Sequence, residues 1–204
     1  MSVPNSLTFL RIGLTPVFLL LLFSPAPAMK QLALVVFVVA ALTDWYDGWV
    51  ARKYGYTSRF GKFLDPLADK ILTLSALLGF VYLGLVDAWI VWVIVIRDIV
   101  ITGLRSYAEY KGEPVITSKT AQAKTFGEFI VIYYILILYV ASSVPPLHQN
   151  FRGFLDTMMN HQVLFGMILV VMLSTVGTGI MYLFDNRKFI RALYAGRASA
   201  RPTG

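Results

Sequence analysis

Apolar runs of about 20 residues recur along the 204-residue chain, parted by short polar segments rich in Gly, Pro, Lys and Arg. That length crosses a bilayer as a helix. Six spans are predicted, near 7–23, 31–52, 63–83, 88–107, 121–140 and 163–184. Ser24-Pro25-Ala26-Pro27 ends the first, Gly84 breaks the third, and Pro145-Pro146 end the fifth. Residues 149–162 carry no strong signal and read as an interfacial loop or short helix on the outer face. No internal repeat suggests the inverted halves common in transporters. The first apolar run lacks a basic leader, and Ala26-Pro27-Ala28 is only a faint cleavage-site match, so no cleavable signal peptide is expected.

Composition supports this reading. The chain is 57% hydrophobic and 14% charged, too apolar for an ordinary soluble domain. The absence of cysteine excludes disulfides, thiolate metal sites and a cysteine nucleophile. Basic residues cluster on one side. Arg52, Lys53, Arg59 and Lys62 lie between spans two and three, and Arg105, Lys111, Lys119 and Lys124 around the fourth-to-fifth connection. Arg187, Lys188, Arg191, Arg197 and Arg201 lie in the tail, whereas the other connections offer little beyond Lys30 and Arg152. The basic side is expected to be cytoplasmic, with both termini inside. The formal charge of +7 is then explained by topology and anionic lipid, with no nucleic acid partner. The expectation is an all-α integral membrane protein: a six-helix domain over 1–186, in the cell membrane, and a basic tail over 187–204.

Four carboxylates break the apolar pattern. Asp44 and Asp47 are three apart at the end of the second span; Asp65 and Asp69 are four apart near the start of the third. On helices each pair shares a face. Gly48 and Ala51 continue the first face, Arg52 lies four beyond Gly48, and Gly61 precedes Asp65 by one turn. Singly, each aspartate reads equally well as a helix-end carboxylate paired with Lys53, Lys62 or Lys70. As a set they do not, because eight specified residues at fixed spacing arise by chance on the order of 10⁻¹⁰ per start position. Four carboxylates near hydrocarbon need positive charge, and they suit one or two hard cations such as Mg²⁺ or Mn²⁺. Small residues admit a phosphorylated ligand close to the backbone, and Arg52 offers a guanidinium fork to phosphate oxygens. With the aspartates near the membrane's inner surface, the active site is expected to face the cytoplasm.

The stretch Asp44-Trp45-Tyr46-Asp47-Gly48-Trp49-Val50-Ala51-Arg52, followed by Gly61, Asp65 and Asp69, resembles the signature of the CDP-alcohol phosphotransferases at every signature position. The resemblance implies a six-helix membrane fold, transfer of a phosphatidyl-type group from a CDP-linked lipid to an alcohol with release of CMP, and a homodimer. It implies Asp44, Asp47 and Asp65 as metal ligands, with Asp69 adjoining the metals and acting as general base. It also implies Gly48, Ala51, Arg52 and Gly61 as cytidine nucleotide contacts. Pro4-Asn5-Ser6-Leu7-Thr8 resembles the family's opening segment, where Asn5 and Thr8 approach the nucleotide; both also suit helix capping.

The acceptor is narrowed by further matches. Pro66-Leu67-Ala68-Asp69-Lys70, and the stretch from Arg97-Asp98 to Arg105, resemble the phosphatidylglycerophosphate synthase branch. Ser118 through Lys124-Thr125 resembles that branch's Gly-Lys-x-Lys-Thr segment, but Ala121 and Gln122 replace the usual glycine and lysine. The expected reaction joins CDP-diacylglycerol and glycerol 3-phosphate. Arg105, Lys124 and Lys119 are the expected acceptor-phosphate ligands, each of them also explained by positive-inside topology. Inositol phosphate, serine or phosphatidylglycerol remain alternative acceptors, and an ether lipid an alternative donor. A cation transporter is the competing class, although transport sites lie near the midplane and these aspartates lie near one surface.

Remaining features have plainer readings. Arg97 and Asp98 are adjacent, so they are expected to face away from each other and to pair with other helices. Glu128 reads either as a local ion-pair partner or as support for the site. His148 and His161 are expected in outer loops. Trp89 and Trp92 read as interfacial anchors, and Gly177 and Gly179 as a helix contact or kink.

Overall fold

The computed structural model describes the backbone of residues 3–54, 59–111, 119–187 and 190, and the side chains of residues 10–43, 70–108, 124–187 and 190. Among these residues the chain is all helix, without a strand. The helices are α1 (Val3–Leu22), α2 (Pro27–Tyr54), α3 (Arg59–Tyr82), α4 (Ala88–Lys111), α5 (Lys119–Ser143), α6 (Pro145–Met158) and α7 (His161–Asp185). An apolar chain segment in lipid has no water to satisfy its amides, and the helix satisfies them internally.

Six helices correspond to the six expected apolar segments, several extended by polar residues at their ends. The turn after α3 contains Gly84 at φ +69°, a backbone conformation that glycine adopts without a Cβ clash. Pro145-Pro146 do more than stop α5. They occupy the first turn of α6, where a missing N–H costs no helical bond. The ambiguous outer segment is thus mostly helical. His148 lies on α6 and His161 opens α7, so neither is a loop residue.

Two stretches among the described residues have the length and composition to cross a membrane, Lys124–Ser143 in α5 and His161–Asp185. The apolar stretches Leu10–Leu22, Pro27–Thr43 and Lys70–Tyr82 are shorter.

Helix contacts close a ring: α1 against α3, α3 against α4, α4 against α7, α7 against α5, α5 against α2, and α2 back against α1. Contact between α3 and α5 crosses the ring, and α6 lies against α5 and α7. Phe37 of α2 is a hub of this packing. Its ring lies 5.2 Å from Phe18 of α1 and 5.3 Å, edge-on, from Tyr133 of α5. Leu72, Leu77, Phe80, Ile90, Ile94, Ile132, Leu136 and Ile168 fill the same core. The apolar interior therefore brings α3, α4, α5 and α7 together, and their charged positions have to be accommodated among them.

Candidate functional site

The signature positions fall on two helices. The backbone of α2 is helical through Asp44, Asp47, Gly48, Ala51 and Arg52, and that of α3 through Gly61, Asp65 and Asp69. The spacing argument for shared faces therefore applies, and α2 touches α3. The side chains of these eight residues, and of Asn5, Thr8 and Lys119, lie outside the described residues. Asn5 and Thr8 fall within α1, which already begins at Val3. An all-oxygen carboxylate set fits hard divalent cations and does not suit a soft metal.

One residue beyond Asp69 the described side chains begin, and they open on a buried ionic network. Lys70 of α3 places its ammonium 2.7 Å from Asp98 Oδ2 and 3.5 Å from Glu128 Oε2. Lys124 of α5 lies 3.0 Å from both Asp98 oxygens and 2.7 Å from Glu128 Oε2. Arg97 donates at 2.8 Å to Asp98 Oδ1 and, through Nη2, at 2.8 Å to Thr178 Oγ1 of α7. Both carboxylates have 0% side-chain exposure, and Lys124 has 3%. Four helices are joined here by charge-assisted hydrogen bonds in a water-poor interior, where each ion needs its partners.

Gly179 on α7 makes room for Arg97. A Cβ at that position would stand 2.8 Å from Arg97 Nε and 3.3 Å from Cγ. Of the two expected roles for this glycine, helix contact is the one realised, whereas a Cβ at Gly177 meets nothing within 4 Å. Two network atoms, Arg97 Nε and Glu128 Oε1, are buried with no hydrogen-bond partner among the described residues.

Pairing of Arg97 and Asp98 with other helices is as expected. Their mutual bond was not expected from adjacency, which constrains Cβ directions; the long arginine side chain curls back to its neighbour. Glu128 is both a local partner of Lys124 and a link to α3. Lys70, considered on sequence as a counter-ion for the aspartates, is held by Asp98 and Glu128. The sequence signal for this network was a set of ionisable residues in otherwise apolar helices.

The expected acceptor-phosphate residues have different surroundings. Arg105 is exposed on α4, two turns beyond Asp98 and on the same helical face, about 10 Å along the axis. Lys124 is buried within the network. It also borders a groove of about 700 Å³ between α5 and α7, walled mainly by apolar side chains such as Ile130, Val131, Val170 and Val171.

Residues 1–183 match the family model described as CDP-alcohol phosphatidyltransferase. The chain belongs to that family. Its membership makes it a transferase of a membrane-bound group, as the resemblance implied. It is similar to a Bacillus subtilis protein named CDP-diacylglycerol–glycerol-3-phosphate 3-phosphatidyltransferase, 36% identical over 148 residues, covering 67% of this chain and 77% of that protein. A protein of the same name from Rickettsia bellii is 33% identical over 136 residues, covering 67% of this chain and 75% of its own length. Another, from Pectobacterium atrosepticum, is 33% identical over 143 residues, covering 66% and 76% respectively.

Proposed function

We propose that this family member transfers the phosphatidyl group of CDP-diacylglycerol to glycerol 3-phosphate, forming phosphatidylglycerol phosphate and CMP. The observation that carries the reading is the complete eight-residue signature on two contacting helices, in a chain whose relatives bear the name of that reaction.

In the proposed reaction, a glycerol hydroxyl oxygen attacks the phosphorus that carries diacylglycerol. The bond from that phosphorus to the bridging pyrophosphate oxygen breaks, CMP leaves with the electron pair, and the hydroxyl proton passes to Asp69. The attack is direct, so no covalent enzyme intermediate forms. Asp69 orients the hydroxyl and accepts its proton. Asp44, Asp47, Asp65 and Asp69 would hold one or two Mg²⁺ or Mn²⁺ ions, which when bound neutralise pyrophosphate charge and make phosphorus more electrophilic. Asn5, Thr8, Gly48, Ala51, Arg52 and Gly61 hold the nucleotide. Arg105, Lys119 and Lys124 receive the acceptor phosphate, Lys124 as a fixed charge whose orientation Asp98 and Glu128 set. The groove between α5 and α7, apolar with an ammonium at its border, has the polarity suited to an amphiphile with an anionic head.

The finer topology belongs to the same proposal: six spans over residues 1–186, both termini and the active site cytoplasmic, a basic tail over 187–204, and a homodimer in the cell membrane. Positive-inside asymmetry supports the orientation, and the homodimer rests on the family resemblance. The test incubates purified protein and labelled CDP-diacylglycerol with divalent cation and a panel of glycerol 3-phosphate, inositol phosphate, serine and phosphatidylglycerol. CMP release with glycerol 3-phosphate is expected. Turnover with another alcohol alone reassigns the acceptor, and metal flux into liposomes without CMP release rejects the enzyme reading.

A further inference from the structure

Helix α6 connects α5 and α7, whose segments Lys124–Ser143 and His161–Asp185 have the length and composition to cross a bilayer. A short helix between two such spans lies at a membrane surface. α5 starts near α3's aspartate end, where Lys124 meets Asp98 and Glu128 and Lys70 joins them. From Glu128 to Ser143 it then rises about 22 Å. α6 therefore lies at the opposite surface from the signature aspartates.

Its residues divide among three environments. Leu155 is buried against the bundle, and Tyr134 of α5 donates to the Met158 carbonyl at 3.0 Å, fastening the C-terminal end of α6. Gln149, Arg152, Asp156 and Thr157 are exposed and polar, with Arg152 Nε 3.6 Å from Asp156 Oδ2. Leu147, Phe151 and Phe154 are exposed by 42%, 57% and 57%. Their spacing of four and three residues puts them on one stripe, nearly opposite Gln149, Arg152 and Asp156 on a helical wheel. The backbone departs from helical angles at Phe151 (φ −122°, ψ 23°), so the observed exposures, more than an ideal wheel, define the faces.

We infer that α6 is an in-plane interfacial helix, with Leu147, Phe151 and Phe154 inserted among the headgroups and upper acyl chains of the leaflet opposite the aspartates. The spans that α6 connects expose apolar side chains as well, Ile137 of α5 and Val163 of α7 among them. Two aromatic rings and a leucine facing away from a polar face suit the headgroup–acyl boundary. Arg152 and Asp156 cancel in charge, so insertion rests on apolar area and is insensitive to lipid charge.

The chain contains no cysteine, so single cysteines introduced for spin labelling are unique. Full-length Leu147→Cys, Phe154→Cys and Gln149→Cys proteins, nitroxide-labelled, would be reconstituted in phosphatidylcholine liposomes with and without phosphatidylglycerol. At positions 147 and 154, collisional access to oxygen should exceed access to a water-soluble nickel chelate several-fold. At position 149 the ratio should be reversed, and both results should be unchanged by phosphatidylglycerol. The two stripe positions give independent readings if one variant folds poorly. Nickel access at 147 and 154 matching that at 149 overturns the proposal. So does a stripe closed to both reagents with broadening between labels, which marks a second copy of the chain as occupant.

Discussion

The Lys124 ammonium on α5 lies 3.0 Å from each carboxylate oxygen of Asp98 on α4. Lys70 of α3 approaches the same carboxylate at 2.7 Å. One buried anion thus serves two cations from two other helices. This ties the helix bearing Asp65 and Asp69 to the helix bearing Lys124 just beyond the proposed catalytic residue.

Removing that anion takes a buried counter-ion from Lys70, Lys124 and Arg97 and leaves Glu128 as the described carboxylate that the two lysines share. Asp98→Ala is expected to destabilise the protein by about 3–5 kcal/mol, the usual cost of stranding a buried charge. Thermal unfolding of the purified protein in detergent measures this. A Tm equal to wild type shows that the network contributes nothing to stability.

The Arg97 guanidinium occupies the space that Gly179 leaves. Gly179→Ala forces that side chain away from its bonds to Asp98 and Thr178, with an expected cost of about 1–3 kcal/mol. Gly177→Ala, where a Cβ meets nothing within 4 Å, should change stability by less than about 0.5 kcal/mol. Equal Tm shifts for the two variants would contradict the packing described.

The carboxylates divide by proposed role. Asp44→Asn and Asp65→Asn should abolish turnover, as should chelation of divalent cations in the wild type. Asp69→Asn should lower kcat by about 10²-fold or more while leaving nucleotide affinity nearly intact. CMP release and equilibrium binding of a cytidine nucleotide separate the two effects. Near-normal kcat in Asp69→Asn removes it as the base.

Arg105 is exposed and Lys124 is buried, so their truncations should differ. Arg105→Ala should raise KM for glycerol 3-phosphate about tenfold, equivalent to the loss of about 1.4 kcal/mol of acceptor binding, with little change in Tm or in KM for CDP-diacylglycerol. Lys124→Ala should in addition lower Tm, because Asp98 and Glu128 lose a shared counter-ion. Steady-state kinetics with each substrate varied in turn decides it, and a change confined to the lipid substrate moves Arg105 out of the acceptor site.

The primary structure by itself determined six of the described helices and the family. Apolar runs of bilayer length, Gly84, and the prolines at 25, 27, 145 and 146 mark helices and turns through local physics: hydrophobic length, a missing N–H, a positive φ. The aspartate signature was legible because helical periodicity turns fixed spacing into shared faces. The sequence also showed Lys70, Asp98, Lys124 and Glu128 as ionisable residues in otherwise apolar helices, but not which of them would meet. That depended on the ring order of α3, α4, α7 and α5, set by long-range packing of their apolar sides, and only the tertiary structure decided it. The same holds for Gly179, whose missing side chain acquires a purpose only when Arg97 from another helix fills the space, and for α6, whose exposed stripe appears only once the rest of the bundle has covered Leu155.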